Sequence, residues 1–547
     1  MTYKKKMNRR NFFKNASAGA AGLAFASALP VLNNSNSASA ETYPLIDFAK
    51  GPSDSPLDTQ ITVKPIFSSL IHSDVWEGPC RASAVEPAKE KIAARKKLKN
   101  IMDNLKADLN PDFRLLEPLV IEYSEDFWIS PDDLAKLEKD RDKVDVYVIG
   151  YVSMPNYIVS ILAETLKKPV VIFSGHIGDF VTADAIAYLK SKGLEGHAAL
   201  DTQELNHILS LFKTRKTFQQ TNILIITDRG LPPYPVRSVI DVSVLKNKFG
   251  IGNHFVSYRE FINTLEEVIN NKKLGKKAED RAKQLIRNAE ESHIDKQYVK
   301  RSFEFYYAVR ELMQKYDCNA FTVECFELCA SRLAEKYKIT PCFVHTLLKD
   351  QGIASACEGD LNALLSMRLL MSVANKSSFM GNPYSFAKDR ISINHSVPGI
   401  KMAGYDHPDL PYDLRHFVKS GWGTKVMIDF TKLKEKAVTL ARIDPLCRKI
   451  YLAIGEIVGC TGFKKGDSLS TFRKANIKID PERAKSMEDD ISLIGCSLTA
   501  HIKVPDAEES MRKLTDFGSH LSMVYGDYTR EIDELGDMMG IEVVHAT

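Results

Sequence analysis

The chain has 547 residues, 44% of them hydrophobic and 26% charged. That length suits two or three domains, and that apolar share excludes global disorder. The formal charge of +4 comes from one end: residues 1–40 carry six basic side chains and no acidic one, and taking those six from the total of 74 leaves 68 against 70 acidic residues. A body so close to neutral has no general pull on nucleic acid, and no basic stretch interleaved with aromatics supplies a local one.

The first element is a leader. Asn8-Arg9-Arg10-Asn11-Phe12-Phe13-Lys14 sets paired arginines before two aromatics, a weakly apolar run follows from Ala16 to Val31, and Ala38-Ser39-Ala40 offers small residues for cleavage. This order predicts a secretory signal of the twin-arginine type over residues 1–40, read by the twin-arginine export machinery and placing the mature protein in the periplasm or another extracytoplasmic space. The run contains Pro30 and is short for a membrane span, and no later segment is apolar enough to cross a bilayer. Residues 41–59, with Pro44, Gly51, Pro52 and Pro56, read as a linker or extended arm.

Apolar strand-like runs then alternate with helical patterns. Ile61–Phe67 predicts a strand, Pro87–Leu105 a helix, Val144–Val152 a strand, Ile158–Leu166 a helix and Pro169–Ser174 a strand. Ile223–Thr227 opens a second unit and ends in the polar loop Asp228-Arg229-Gly230, a place where ligands of doubly wound sheets tend to sit. A charged helical region spans Lys276–Tyr316, Ala320–Val323 is a short strand ending at Glu324, and Leu361–Val373 is an apolar helix. Beyond Asn382 the short runs Ile391–Asn394, Lys425–Asp429, Val438–Ile443 and Ser497–Val504 are split by Gly, Pro and Asp, the pattern of an antiparallel barrel or sandwich. A helix over Tyr528–Met539 and a strand over Ile541–Val544 follow. The expected class is α/β: doubly wound units over residues 60–220 and 221–382, then a β-rich, barrel-like domain over 383–547.

Nine cysteines, an odd number scattered through a large chain, make a poor disulfide framework and read as buried free thiols. Cys325 and Cys329 share a helix face, but neither a second such pair nor a neighbouring His in sequence completes a metal motif.

Three places offer chemistry: Glu324 at the end of an apolar strand, Glu358-Gly359-Asp360 entering a helix, and Gly518-Ser519-His520. Each has a structural reading as well: Asp360 as a helix N-cap, Glu324 paired with a lysine, His520 as a hydrogen-bonded core histidine. Taken together, two carboxylates and an imidazole form a hard O/N ligand set that suits Mn²⁺, Mg²⁺ or Fe²⁺ better than zinc. A cation so held can polarise a carbonyl and its neighbouring hydroxyl while a carboxylate moves a proton between adjacent carbons.

From about Cys318 onward the chain resembles the L-fucose/L-arabinose isomerase superfamily. The resemblance lies in Val323-Glu324-Cys325-Phe326, Thr340-Pro341-Cys342, Cys357-Glu358-Gly359-Asp360-Leu361, Phe379-Met380-Gly381-Asn382-Pro383, Asn394-His395-Ser396-Val397-Pro398, Gly518-Ser519-His520 and Val524-Tyr525-Gly526-Asp527-Tyr528. It implies two Rossmann-like domains followed by a β-rich C-terminal domain, and aldose–ketose isomerisation through an ene-diol, usually with Mn²⁺. It further implies Glu324 and Glu358 as metal-binding acid/base residues, His520 as a metal ligand, His395 or Asp360 as a further ligand, and a homotrimer or homohexamer. Trp76, Arg81, His176 and Arg229 fall in expected loops after strands and are candidates for reading substrate groups. The competing expectations are an exported, non-catalytic sugar-binding protein and another metal-dependent carbohydrate enzyme on the same scaffold. No residue pattern identifies the sugar.

Overall fold

The computed structural model describes residues 57–546 apart from 76–84, 126–128, 152–158, 160, 162–163, 166, 174–179, 231–241, 465–466, 468–490 and 494. The expected leader and most of the linker, the helix expected at 158–166 and the substrate candidates Trp76, Arg81 and His176 therefore lie wholly or largely outside the described residues. The described residues belong to one unit, Ala40–Thr547.

Strand β1 (Ile61–Leu70) is buried along its whole length, as expected of a strand covered on both faces. β2 (Phe113–Leu115) and β3 (Leu119–Tyr123) pair with its successive halves. β4 (Val146–Tyr151), β5 (Val170–Phe173) and β6 (Gly196–Ala199) extend the sheet from its other side, and every pairing is parallel. Three of the expected strands are thus present at nearly the expected bounds, while β6, Gly196-His197-Ala198-Ala199, has too little apolar character to be read from sequence.

A second parallel sheet is built from β7 (Asn222–Ile226), β8 (Gly252–Val256), β10 (Ala320–Val323) and β11 (Ser355–Cys357), in the order β11-β10-β7-β8. The charged region expected as one helical stretch is two helices, Lys272–Asn288 and Lys296–Lys315, separated by the short strand β9 (Glu291–His293). The apolar helix expected at Leu361–Val373 runs Leu361–Ala374 and is buried on nearly every side. A helix apolar all round must be covered all round; it packs on the helix Thr202–Gln219, on the second sheet and on the strands that follow.

The C-terminal part contains a closed β-barrel. β12 (Phe379–Ala387), β13 (Arg390–His395), β16 (Ala437–Ile443), β17 (Lys449–Thr461), β18 (Leu498–Lys503) and β19 (Leu521–Tyr525) close in the order β16-β19-β12-β13-β18-β17-β16. Closure leaves these six strands without a free edge. A seventh strand, β20 (Glu542–His545), pairs with β17 outside the ring. Apolar side chains such as Ile391, Ile393, Leu440, Leu498, Ala500, Ile502 and Met523 belong to one large buried cluster. Two runs depart from the expected plan. Lys425–Asp429 falls largely in β15 (Gly421–Ile428), which forms a hairpin with β14 (Tyr412–Val418), and that hairpin is joined in parallel by β9 in a separate three-stranded sheet. β12 begins at Phe379, ahead of the boundary read at 383. The architecture is mixed α/β, with two parallel sheets and a closed six-stranded barrel.

Candidate metal centre

The parallel register explains why two glutamates separated by 34 sequence positions become neighbours. Val323 of β10 pairs with Cys357 of β11, so Glu324 and Glu358 each stand one residue beyond a paired strand end. This is the carboxyl edge of a parallel sheet, where α/β folds place their ligands. Glu358 has φ 62° and Gly359 φ 66°. Two consecutive left-handed residues turn the chain from β11 into the helix Leu361–Ala374, and a non-glycine there is strained, a feature that gathers at functional sites.

The barrel supplies the imidazoles. His395 ends β13, and His520 precedes β19 with φ 67°. His395 Nε2 is 3.1 Å from Glu358 Oε1, His520 Nε2 is 3.5 Å from Glu358 Oε2, and the two rings lie edge to face with centroids 5.3 Å apart. Both histidines are fully buried and Glu358 is nearly so. Glu358, His395 and His520 each offer a ligand atom within 4.8 Å of the others.

Asp360 serves as the expected N-cap, accepting from Ala363 N at 2.9 Å. Its other oxygen reaches the barrel: Oδ2 is 3.0 Å from His520 Nδ1 and accepts from Arg442 Nη1 at 2.8 Å. Asp360 stands behind His520 rather than beside Glu358. When the ring is neutral, that acceptor oxygen holds the imidazole proton on Nδ1 and turns the Nε2 lone pair to the centre, the usual orientation of a metal-binding histidine. Arg442, fully buried in β16, also donates to the carbonyls of Phe517 and His520. Sequence reading missed it because an arginine inside an apolar strand carries no motif.

Electrostatics separate the two glutamates. Burial pushes the Glu358 carboxyl up, but the His395 hydrogen bond and, while the imidazoles are protonated, their charges outweigh it and hold the carboxyl below its ordinary value. Glu324 is raised, chiefly by burial, with the charges of Glu327 and Glu358 adding to it. Its oxygens accept from Phe326 N and Glu327 N at 3.3 and 2.9 Å, capping the helix Cys325–Ala330. Among the described residues, no close-set ligand group of three or more includes Glu324.

The donors fit a divalent cation. His520 Nε2 is buried without a hydrogen-bond partner, its lone pair facing a carboxylate. That placement is unfavourable unless a proton or a cation lies between them. Two imidazoles and a carboxylate with open positions suit Mn²⁺, Fe²⁺ and zinc alike, a set richer in nitrogen than the sequence reading expected. Arg229 lies on the loop after β7; its exposed side chain stands 3.9 Å from Glu327, in the helix that Glu324 caps. No protein-family profile matches the chain, and no curated protein matches it in sequence.

Proposed function

We propose that the chain is a divalent-metal-dependent aldose–ketose isomerase of the L-fucose/L-arabinose isomerase kind. The observation that carries this reading is the cluster of Glu358, His395 and His520, backed by Asp360, at the carboxyl edge of a parallel sheet. The resemblance of the motifs in that stretch to this superfamily supports it further.

In this reading Glu358, His395 and His520 hold Mn²⁺, Mg²⁺ or Fe²⁺, which when bound supplies charge for two adjacent sugar oxygens. Glu324 is the proton carrier. Burial raises its carboxyl toward the range where a base both accepts and returns a proton, while Glu358 stays ionised. Glu324 takes the proton from one carbon, leaving an ene-diolate, and delivers it to the next, while the hydroxyl proton of one of the two adjacent oxygens passes to the other. Asp360 and Arg442 keep His520 in one tautomer throughout. Exposed Arg229 is available to substrate oxygens at the same sheet edge.

The leader-like residues 1–40 support export of the folded protein by the twin-arginine route, and assembly as a trimer or hexamer belongs to the same proposal. A screen of aldoses and ketoses with Mn²⁺-loaded protein, read by product identity, tests the activity. Conversion of one sugar to its ketose partner supports it. A protein that binds sugar, converts none and retains no stoichiometric divalent ion is a sugar-binding protein instead.

A further inference from the structure

Glu358 belongs to a second close-set group. Its carboxylate and the thiols of Cys325 and Cys357 each offer a ligand atom within 4.8 Å of the others. The strand register that sets Glu324 beside Glu358 also creates this group. Cys357 is the last residue of β11, and Cys325 is the first residue of the helix that follows β10.

The spacing of the two sulfurs is informative. Cys325 Sγ and Cys357 Sγ are 3.5 Å apart. A disulfide needs about 2.0 Å. Two thiolates bound at about 2.3 Å to one tetrahedral ion lie roughly 3.8 Å from each other. The observed separation is close to a shared coordination edge and far from a bond. Cys357 is buried, whereas Cys325 is part-exposed. Ser396 Oγ, next to His395, is 3.4 Å from both Cys342 Sγ and Cys496 Sγ, so further thiols stand close to the same region.

We propose that Cys325, Cys357 and Glu358 form a binding site for a thiophilic divalent cation of the zinc class, adjoining the Glu358–His395–His520 centre and sharing its carboxylate. Binding forms two metal–sulfur bonds and releases the two thiol protons to solvent, with no change of oxidation state. Soft sulfur donors select zinc or cadmium over manganese and magnesium, whereas the imidazole side tolerates harder ions. The site does not depend on the proposed sugar chemistry and stands or falls separately from it.

The test is X-ray absorption on the full-length protein loaded with one equivalent of Zn²⁺. The expected result is two sulfur neighbours at about 2.3 Å together with lighter oxygen or nitrogen neighbours. Cys325→Ser should leave one sulfur, and Cys325→Ser with Cys357→Ser should leave none. His520→Ala should keep both, which distinguishes this site from the imidazole centre. An all-nitrogen and oxygen shell in the wild type overturns the proposal, as does failure to retain zinc on dialysis. Sulfur neighbours that persist in the double variant also overturn it, because they would belong to other thiols. If the buried Cys357→Ser protein does not fold, the wild-type spectrum and Cys325→Ser still decide.

Discussion

His520 and Asp360 are 160 positions apart in sequence, yet His520 Nδ1 lies 3.0 Å from Asp360 Oδ2, and Arg442 holds the same oxygen from a second direction. This relation makes Asp360 a positioning residue. Asp360→Asn keeps the shape but removes the charge that orients the imidazole. Mn²⁺ affinity should fall on the order of 10–100-fold by calorimetric titration, the usual cost of losing an outer partner of a metal-binding histidine. Arg442 would lose its carboxylate partner while buried, so stability should also fall, by up to about 3–5 kcal/mol in denaturant unfolding.

The two glutamates should separate experimentally. Glu358→Gln should lose both metal binding and isomerisation. Glu324→Gln should retain the metal and lower kcat on the order of 10²–10⁴-fold, the contribution typical of a general base. Metal affinity and product formation measured on both variants check this. If Glu324→Gln loses the cation as fully as Glu358→Gln, Glu324 is a ligand and the division of roles is wrong.

His501 should make the barrel sensitive to acid. Its Nδ1 is 2.8 Å from Ser392 Oγ and its Nε2 2.9 Å from Thr461 Oγ1, and burial, with the Arg390 charge adding to it, pushes the imidazole down to about 4. An unfolded histidine titrates near about 6.5. Between these values the unfolded chain binds the proton and the folded one does not, so stability is full above about pH 6.5 and is lost as pH falls toward 4. The loss approaches about 3 kcal/mol. His501→Gln removes this titration, and its unfolding free energy should depend less steeply on pH across that window than that of the wild type.

Gly381 is a packing requirement of the centre. A Cβ at this position would lie 2.9 Å from Asn394 N and 3.1 Å from Ile393 C, backbone atoms of β13 that cannot swing aside. Gly381→Ala should therefore push β12 from β13, lower stability by about 1–3 kcal/mol in denaturant unfolding, and weaken metal binding, because β13 ends at His395. Unchanged metal affinity in a destabilised variant would uncouple the strand from the centre.

Much of the scaffold was legible because buried parallel strands such as β4, β5 and β7 are continuous apolar runs and the helix Leu361–Ala374 is apolar all round. β11 was not, since Ser355-Ala356-Cys357 is too short and too mixed to show a period. That one strand decides the centre, because its register sets Glu358 beside Glu324. Glu358 and His520 were legible as candidates, and Asp360 as a cap; its clasp on His520 was not, since nothing local joins residues so distant in the chain. The eight described cysteines are free thiols, four of them buried and four part-exposed, but the meeting of Cys325 with Cys357 rather than with Cys329 follows only from the strand pairing.

The ring of the barrel has a consequence for biosynthesis. β19 fills the gap between β12 and β16, and it follows both of them in the chain. Until the ribosome has delivered β19, those two neighbours present unpaired backbone, a template for association with other nascent chains. His520 arrives with that same strand, so the last closing step and the completion of the imidazole pair are one event. A chain caught before it would be both sticky and unable to hold a cation between the two histidines, and contacts so remote in sequence form slowly. The pairing of the two imidazoles is thus complete only once β19 has joined the ring.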